Sequence, residues 1–240
     1  MKTFKTIIVD DERLAREEVK RALKPHKEFY VVGEASNVDE AIKIIETEEP
    51  DIIFLDIHMP EKSGFDLLEE LDAVPEVVFT TAYDQYAVKA FELNALDYLV
   101  KPLREERFAK TIEKVKQELV KKRKATPDAL PMHRKIFIKD GENCHFIPLS
   151  DIRYIESLEN YARLYFGNQK AMIKRSLNLL EEKLDPTVFF RANRSQIINI
   201  HFIQEIYPHF NNRLQIKLTS RETIDVSSRQ SVKFKNWNSL

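Results

Sequence analysis

The apolar stretch Thr6-Ile7-Ile8-Val9 stops abruptly at the acidic pair Asp10-Asp11. A second stretch, Ile52-Ile53-Phe54-Leu55, stops at Asp56, and a third, Tyr98-Leu99-Val100, stops at Lys101-Pro102. Runs this short, with no polar alternation, read as strands buried on both faces, as in parallel sheets covered by helices. Three carboxylates and one ammonium group then share the C-terminal edge of a single sheet. That edge is where open α/β folds bind ligands. Carboxylates crowded there repel one another unless a hard divalent cation neutralises them.

The rest of the first half fits the same scheme. Tyr30–Val32 and Val77–Phe79 complete a set of five short strands. Helical patterns lie between them. Arg13 to Leu23 carries Leu14, Val19, Ala22 and Leu23 as its expected apolar face. Asn37 is placed to cap a helix, with Glu40 three residues on as the reaching acid. Ser63-Gly64 opens a third helix, Asp84 precedes a fourth from Tyr86 to Leu93, and Arg104 to Lys121 is the longest. Alternation of this kind predicts a doubly wound, five-stranded parallel sheet of the flavodoxin-like type, here assigned to residues 1–121.

Residues 122–132, a basic run followed by Pro127 and Pro131, read as a linker. Beyond it the period changes. Lys135–Lys139, Tyr161–Phe166, Arg213–Leu218 and Glu222–Val226 alternate in character, and Asp140-Gly141 and Phe166-Gly167-Asn168 read as turns. Helix is expected only over Ser176–Leu184 and in the final Ser228–Trp237. Residues 133–240 are thus expected to form a second, mostly β domain.

Composition sharpens the division. The net charge of −1 conceals 21 Lys and Arg against 28 Asp and Glu in residues 1–132, and 17 against 11 in residues 133–240. An acidic half joined to a basic half points to a basic domain that meets a polyanion. No apolar run approaches the ~18 residues needed to span a bilayer. The first residues enter a strand without the features of a signal peptide, and Cys144 is the lone cysteine, so a cytoplasmic location is expected, with neither disulfide nor zinc site.

Mg²⁺ takes oxygen ligands in octahedral geometry and keeps waters and substrate oxygens. Asp11 and Asp56 supply ligands, and Asp10 binds through water or supports the shell. Asp56, alone at its strand end, is the best-placed nucleophile, and a carboxylate nucleophile yields an acyl phosphate. The Lys101 ammonium balances phosphoryl oxygens. Thr80 and Thr81 compete to offer a hydroxyl, since only one of two successive strand residues can face the site. The order Thr81-Ala82 before a Tyr/Asp-rich helix start favours Thr81.

The motifs Asp10-Asp11-Glu12, Leu55-Asp56-Ile57-His58-Met59-Pro60, Ser63-Gly64, Thr81-Ala82 and Asp97-Tyr98-Leu99-Val100-Lys101-Pro102 together resemble the receiver domain of two-component response regulators. The resemblance implies that a sensor histidine kinase phosphorylates Asp56. It implies that Asp10, Asp11, Asp56 and the backbone carbonyl of His58 arrange Mg²⁺. It also implies that Thr81 moves toward the phosphate with Tyr98 following, and that Lys101–Pro102 is cis. The His58 imidazole itself reads as an exposed loop group.

In the second half, Ile152-Arg153-Tyr154-Ile155-Glu156, Asn160-Tyr161, Arg175-Ser176-Leu177, Phe189-Phe190-Arg191, Ile198-Asn199 and Val226-Ser227-Ser228-Arg229 resemble a LytTR-type DNA-binding domain. That resemblance implies double-stranded DNA as partner. Asn160, then Asn193 with Arg194, then Arg229 are carried over as groups on three base-reading loops, with Lys174, Arg175 and Arg191 as phosphate contacts. Gln230 stands where the family often has a second basic residue. The whole reads as a response regulator that forms a homodimer when phosphorylated. It is not an enzyme beyond its own phosphorylation and dephosphorylation. The alternatives are an adaptor whose β domain binds protein or RNA, and an aspartyl-nucleophile phosphatase. Against the phosphatase, such enzymes commonly carry Asp-x-Asp after the first strand, whereas Asp10 and Asp11 are adjacent.

Overall fold

The computed structural model describes residues 3–82, 95–124, 135–140, 143–211 and 213–237. The helix expected over 86–93, with Asp84, lies outside the described residues, as do Pro127, Pro131 and Gly141 of the expected linker and turn. The chain divides into two compact units, Met1–Phe146 and Ile147–Leu240.

In the first unit, β1 (Phe4–Val9), β2 (Phe29–Ala35), β3 (Ile52–Asp56), β4 (Glu76–Thr81) and β5 (Asp97–Val100) form one sheet in the order β2-β1-β3-β4-β5. All four pairings are parallel. β3 and β4 are buried along their whole length, which is why their sequences show no alternation. Helices cover both faces. On one face, α2 (Val38–Glu48) and α3 (Gly64–Glu70) bury Val38, Ala41, Ile45, Leu67 and Leu68 against Ile7, Val9, Ile53, Leu55 and Phe79. On the other, α1 (Arg13–Leu23) and α4 (Glu105–Lys124) bury Val19, Leu23, Phe108, Ile112, Val115 and Leu119 against Ile8, Phe54 and Val78.

Local chemistry sets the helix starts. Asn37 Oδ1 accepts from Glu40 N at 2.9 Å, but Glu40 reaches back to Ser36 N, not to Asn37 N. Ser63 and Asp66 form a reciprocal capping box on α3. One expectation fails on α1. Leu14 is 71% exposed, and Ala15 takes the buried position instead. Ala15, Val19 and Leu23 are spaced by four, a full helical turn each, and Leu14 falls off that stripe.

The first unit also runs past the expected linker. β6 (Lys135–Asp140) and β7 (Asn143–Pro148) pair as a two-stranded sheet. Phe137 and Phe146 are buried in the same cluster as Leu67 and Leu71. The Phe137 ring stacks on Phe65, with centroids 6.0 Å apart and planes 5° apart. Val74 N donates to Lys135 O at 2.9 Å. Lys135 Nζ pairs with Glu76, whose residue is 2% exposed. By packing, the first compact unit thus extends to Phe146. Alternation identifies these residues as strands but cannot tell which core their apolar faces join.

The second unit is mostly β. Strands β8 (Ile152–Leu158), β9 (Tyr161–Phe166), β10 (Gln169–Ile173), β11 (Phe189–Asn193) and β12 (Gln196–Asn199) form an antiparallel sheet in the order β10-β9-β8-β12-β11. Strands β13 (Ile203–His209), β14 (Arg213–Leu218) and β15 (Thr223–Val226) form a second antiparallel sheet. α5 (Leu177–Lys183), capped by Ser176, packs on β8 and β12. α6 (Ser228–Trp237) packs on β11 and β14. Tyr154, Ile198, Leu214, Ile216, Val226 and Phe234 share the core between them. Gly167, at φ 46°, makes the β9–β10 turn in the left-handed region that favours glycine.

Candidate functional site

The strand order reverses at β1 and β3, so the crevice at their C-terminal ends holds Asp10, Asp11 and Asp56. Ligand oxygens of the three lie within 4.8 Å of one another. Asp10 and Asp56 are buried, at 1% and 5% exposure, and Asp11 is exposed. Lys101, from the end of β5, places Nζ 2.6 Å from Asp10 Oδ2 and 3.5 Å from Asp56 Oδ1. Its peptide N–H donates to Thr81 O at 2.8 Å, which brings Thr81 and Lys101 to the same level of the sheet edge. The following peptide bond, Lys101–Pro102, is cis.

Burial pushes the Asp56 carboxyl up to about 6, with the negative charges of Asp10 and Asp11 adding to it and Lys101 opposing it. Burial raises the Asp10 carboxyl as well, despite its contact with Lys101. For Lys101, burial works against the charged form, but the Asp10 hydrogen bond and the Asp56 charge outweigh it, so its pKa is raised. The site thus confines negative charge that one lysine does not fully balance.

The residues suit Mg²⁺. All donors are hard carboxylate oxygens, and octahedral bonds of ~2.1 Å need oxygens at most ~4.2 Å apart, close to the spacing present. Asp10 Oδ2 is buried and, beyond the Lys101 ammonium 2.6 Å away, has no described partner. A cation, or a water bound to one, would satisfy that oxygen.

The surrounding chain holds this edge open. Gly64 opens α3 against β3, and a Cβ there would overlap the backbone carbonyl of Asp56. Its N–H donates to Ile57 O at 2.9 Å, which folds the His58 loop back over the strand end. His58 is exposed. Thr80 is the register partner of Asp56, and Thr81 lies one position beyond; both are buried. Tyr98 is buried in the cluster shared with Phe79.

Two arginines that the sequence reading missed organise the site. Arg16 Nη1 donates to Asp10 O at 2.7 Å and Asp11 O at 3.3 Å, pinning the acidic loop from α1. Arg107 makes a two-pronged bond to Asp97 at 2.6 and 2.8 Å and donates to Tyr98 O at 2.8 Å, tying α4 to β5. Arg16 lies close in sequence to the acids and was findable as a helix-start cation. The Asp97–Arg107 pair spans a loop and a helix turn and leaves no local signature.

In the second unit, register gathers the predicted loops. Leu158 pairs with Tyr161, Ser157 with Ala162, and Ala162 with Ile173. Gln196 lies opposite both Glu156 and Asn193. The Asn160 loop, the Asn193–Arg194 turn and the Lys174–Arg175 segment after β10 therefore emerge at one end of the five-stranded sheet. Ser227 N donates to Ala192 O at 3.0 Å and Asn193 Nδ2 to Asp225 O at 2.8 Å. These bonds bring the start of α6, with Arg229, to the same end. Asn160, Lys174, Arg194 and Arg229 are exposed; Arg175 is half-buried.

Two predicted contacts also have internal work. Asn193 Oδ1 accepts from Ser195 N and Oγ, and its Nδ2 also donates to Gln196 Oε1, so its amide is occupied in shaping the turn. Arg191 Nε and Nη2 donate to Asn193 O and Arg194 O, each at 2.6 Å, and Nη1 lies 3.4 Å from Glu181. Both residues present Arg194; neither extends a free group from the surface.

Comparison with known proteins agrees with this geometry. Residues 6–113 match the family model for the response regulator receiver domain, and residues 142–239 that for the LytTr DNA-binding domain. The chain is 39% identical over 233 residues to the sensory transduction protein LytT of Enterococcus faecalis, covering 95% of this chain and 96% of that protein. It is 40% identical over 202 residues to an uncharacterized response regulatory protein of Vibrio cholerae, covering 83% and 84%. Among solved structures, the response regulatory domain of mrkE from Klebsiella pneumoniae aligns with 34% identity and a TM-score of 0.45, over 49% of this chain and 98% of that one. No described helix is long and apolar enough to cross a membrane. The chain belongs to the response regulators that join a receiver domain to a LytTr DNA-binding domain.

Proposed function

We propose that the protein is a cytoplasmic transcription factor switched by phosphorylation of Asp56. The observation that carries this reading is the buried Asp56 carboxylate, 3.5 Å from the Lys101 ammonium and within 4.8 Å of Asp10 and Asp11. A sensor histidine kinase presents a phosphohistidine. An Asp56 oxygen attacks phosphorus, the P–N bond breaks as the P–O bond forms, and the imidazole leaves with a proton from solvent. Lys101 offsets the charge on the phosphoryl oxygens, and Asp10 holds Lys101 in place. Mg²⁺, held by Asp11 and Asp56 with Asp10 and the His58 carbonyl in support, would neutralise the remaining charge of carboxylates and phosphoryl group. Hydrolysis of the acyl phosphate by water at the same edge resets the switch, and this is the limit of the protein's catalysis.

Thr81 is the residue that reports the phosphoryl group, and Tyr98, which is already buried here, shares the switch by being held in that inward position once Thr81 has moved. This switch favours a homodimer, which raises DNA avidity through effective concentration. We assign signalling to residues 1–121, the connection to 122–132 and DNA binding to 133–240, of which the β6–β7 hairpin up to Phe146 packs in the core of the first unit. Asn160, Arg194 and Arg229 read base edges in duplex DNA. Lys174 and Arg175 hold phosphates. Arg191 and Asn193 act on DNA through the turn they shape.

The test is duplex selection from a random pool, followed by affinity measurement with and without beryllofluoride and Mg²⁺. Tighter binding and self-association with beryllofluoride, lost in Asp56→Asn, are expected. Equal affinity in both states, with no Asp56 labelling by a phosphodonor, would overturn the reading.

A further inference from the structure

The β13–β14 hairpin ends beside the start of α6. Arg213 pairs with His209 across the hairpin, and its successor Leu214 pairs with Val226 of β15. This register puts Arg213 level with Ser227 and the hairpin tip level with Ser228 and Arg229. Arg213 Nε donates to Ser228 Oγ at 3.2 Å, which fixes that level. Since Ser227 is bonded to Ala192 and Asn193 to Asp225, the tip stands at the end of the unit that carries Asn160, Arg194 and Arg229.

What the tip presents is unusual for a surface turn. Phe210 is 84% exposed, the highest value among the large exposed hydrophobic residues described. Its ring meets His209 edge-on at 5.4 Å, and Phe210 belongs to none of the core clusters of the described residues. Asn211, at φ 57°, turns the chain, and Arg213 is exposed beside it. Arg229, Lys233 and Lys235 follow along α6. An apolar ring beside exposed cations is poorly matched to water and suits a polyanion that also offers apolar surface, and its place at the end that carries Arg194 and Arg229 favours duplex DNA. In the minor groove of a duplex, proteins place apolar side chains such as Phe alongside basic contacts.

We propose that this hairpin tip is a fourth DNA-contacting element, with Phe210 packed on deoxyribose in the minor groove next to the stretch met by the Arg229 loop and Arg213 on a flanking phosphate. The proposal rests on the DNA-binding reading above. It adds a contact that sequence alone does not suggest. The tip extends the footprint without reading bases, so it raises affinity for all duplexes.

The experiment uses the full chain and the duplex selected by the wild type. Phe210→Ala should weaken binding about 5- to 20-fold on selected and scrambled duplexes alike. Arg213→Ala should lower the salt slope by about one unit. Hydroxyl-radical footprinting should show sugar protection lost at one outer position in Phe210→Ala and retained elsewhere. A p-benzoylphenylalanine in place of Phe210 should crosslink to one DNA strand on irradiation. Wild-type affinity and an unshortened footprint in both variants would overturn the proposal, as would a crosslink to a second copy of the protein. If the tip variants bind normally while Arg194→Ala and Arg229→Ala lose affinity, the tip assignment fails and the DNA reading stands. If the wild type selects no duplex, both fall.

Discussion

Replacing Asp56 by asparagine should stabilise the metal-free protein, and only above acidic pH. The carboxyl's pKa is raised from its ordinary 3.8 to about 6 by burial first and by neighbouring acids second. A raised folded-state pKa means that the folded chain holds the proton more tightly than the unfolded one. Its contribution to stability is therefore fully present below about pH 4 and lost as pH rises through about 6. The shift of about two units corresponds to a ceiling of about 3 kcal/mol. Screening at the open sheet edge reduces this to about 1–2 kcal/mol. Asparagine has the same shape and no charge, and Lys101 keeps Asp10 at 2.6 Å. For a unit of this size, Tm should rise by about 3–6 °C at pH 7.5 and be unchanged at pH 4. The assay is calorimetry of the full chain in EDTA across pH 4–8, following the transition of the first unit. Adding Mg²⁺ should then stabilise the wild type by up to about 2.7 kcal/mol at a hundredfold excess over Kd, and the variant less, so that the gap closes or inverts. A pH-independent gain, or none at pH 7.5 in EDTA, would refute the electrostatic reasoning.

Asp56→Asn should accept no label from a small phosphodonor, and Asp11→Ala should lose Mg²⁺ affinity and labelling together, read by a Mg²⁺ titration and by hydroxylamine-sensitive incorporation. Thr81→Ala should still be labelled but fail to tighten DNA binding with beryllofluoride; an intact response would move the reporter role to Thr80. Arg194→Ala and Arg229→Ala should each cost about 1–3 kcal/mol on the selected duplex and relax preference at particular base pairs, whereas Lys174→Ala should weaken all duplexes alike in a salt titration. Asn193→Ala should lower stability by about 0.5–1.5 kcal/mol in denaturant melts, because it removes the bonds to the half-buried Ser195 N and to Asp225 O.

The strand ends of the first unit were legible because full burial erases alternation and charge resumes abruptly at the edge. Asp10, Asp11, Asp56 and Lys101 could therefore be placed together before any coordinates were known. Leu14 misled because a hydrophobic residue one position off a fourfold stripe still scores as apolar. The Arg107–Asp97 clasp was invisible, since nothing local links a strand start to a position ten residues on. In the second unit the loops were found by type, not by geometry. Only the register shows that they share one sheet end. Only the hydrogen bonds show that Asn193 and Arg191 are committed to the turn itself.

The β6–β7 hairpin bears on how such chains recombine. It follows the expected linker, and the LytTr match begins at 142, near the start of β7, yet Phe137 and Phe146 belong to the core of the first unit. A crossover in the linker that exchanged the output half would carry both rings away. It would bare Phe65 and leave Glu76 buried without Lys135. A transplanted receiver would inherit an exposed aromatic and a buried carboxylate that has lost its lysine, while the donated half would arrive with two homeless rings. Exchange is tolerated structurally only where the cut falls after the hairpin, or where the incoming hairpin brings the same pair of aromatics and the same lysine. The hairpin thus sets which shuffled descendants of this chain can fold.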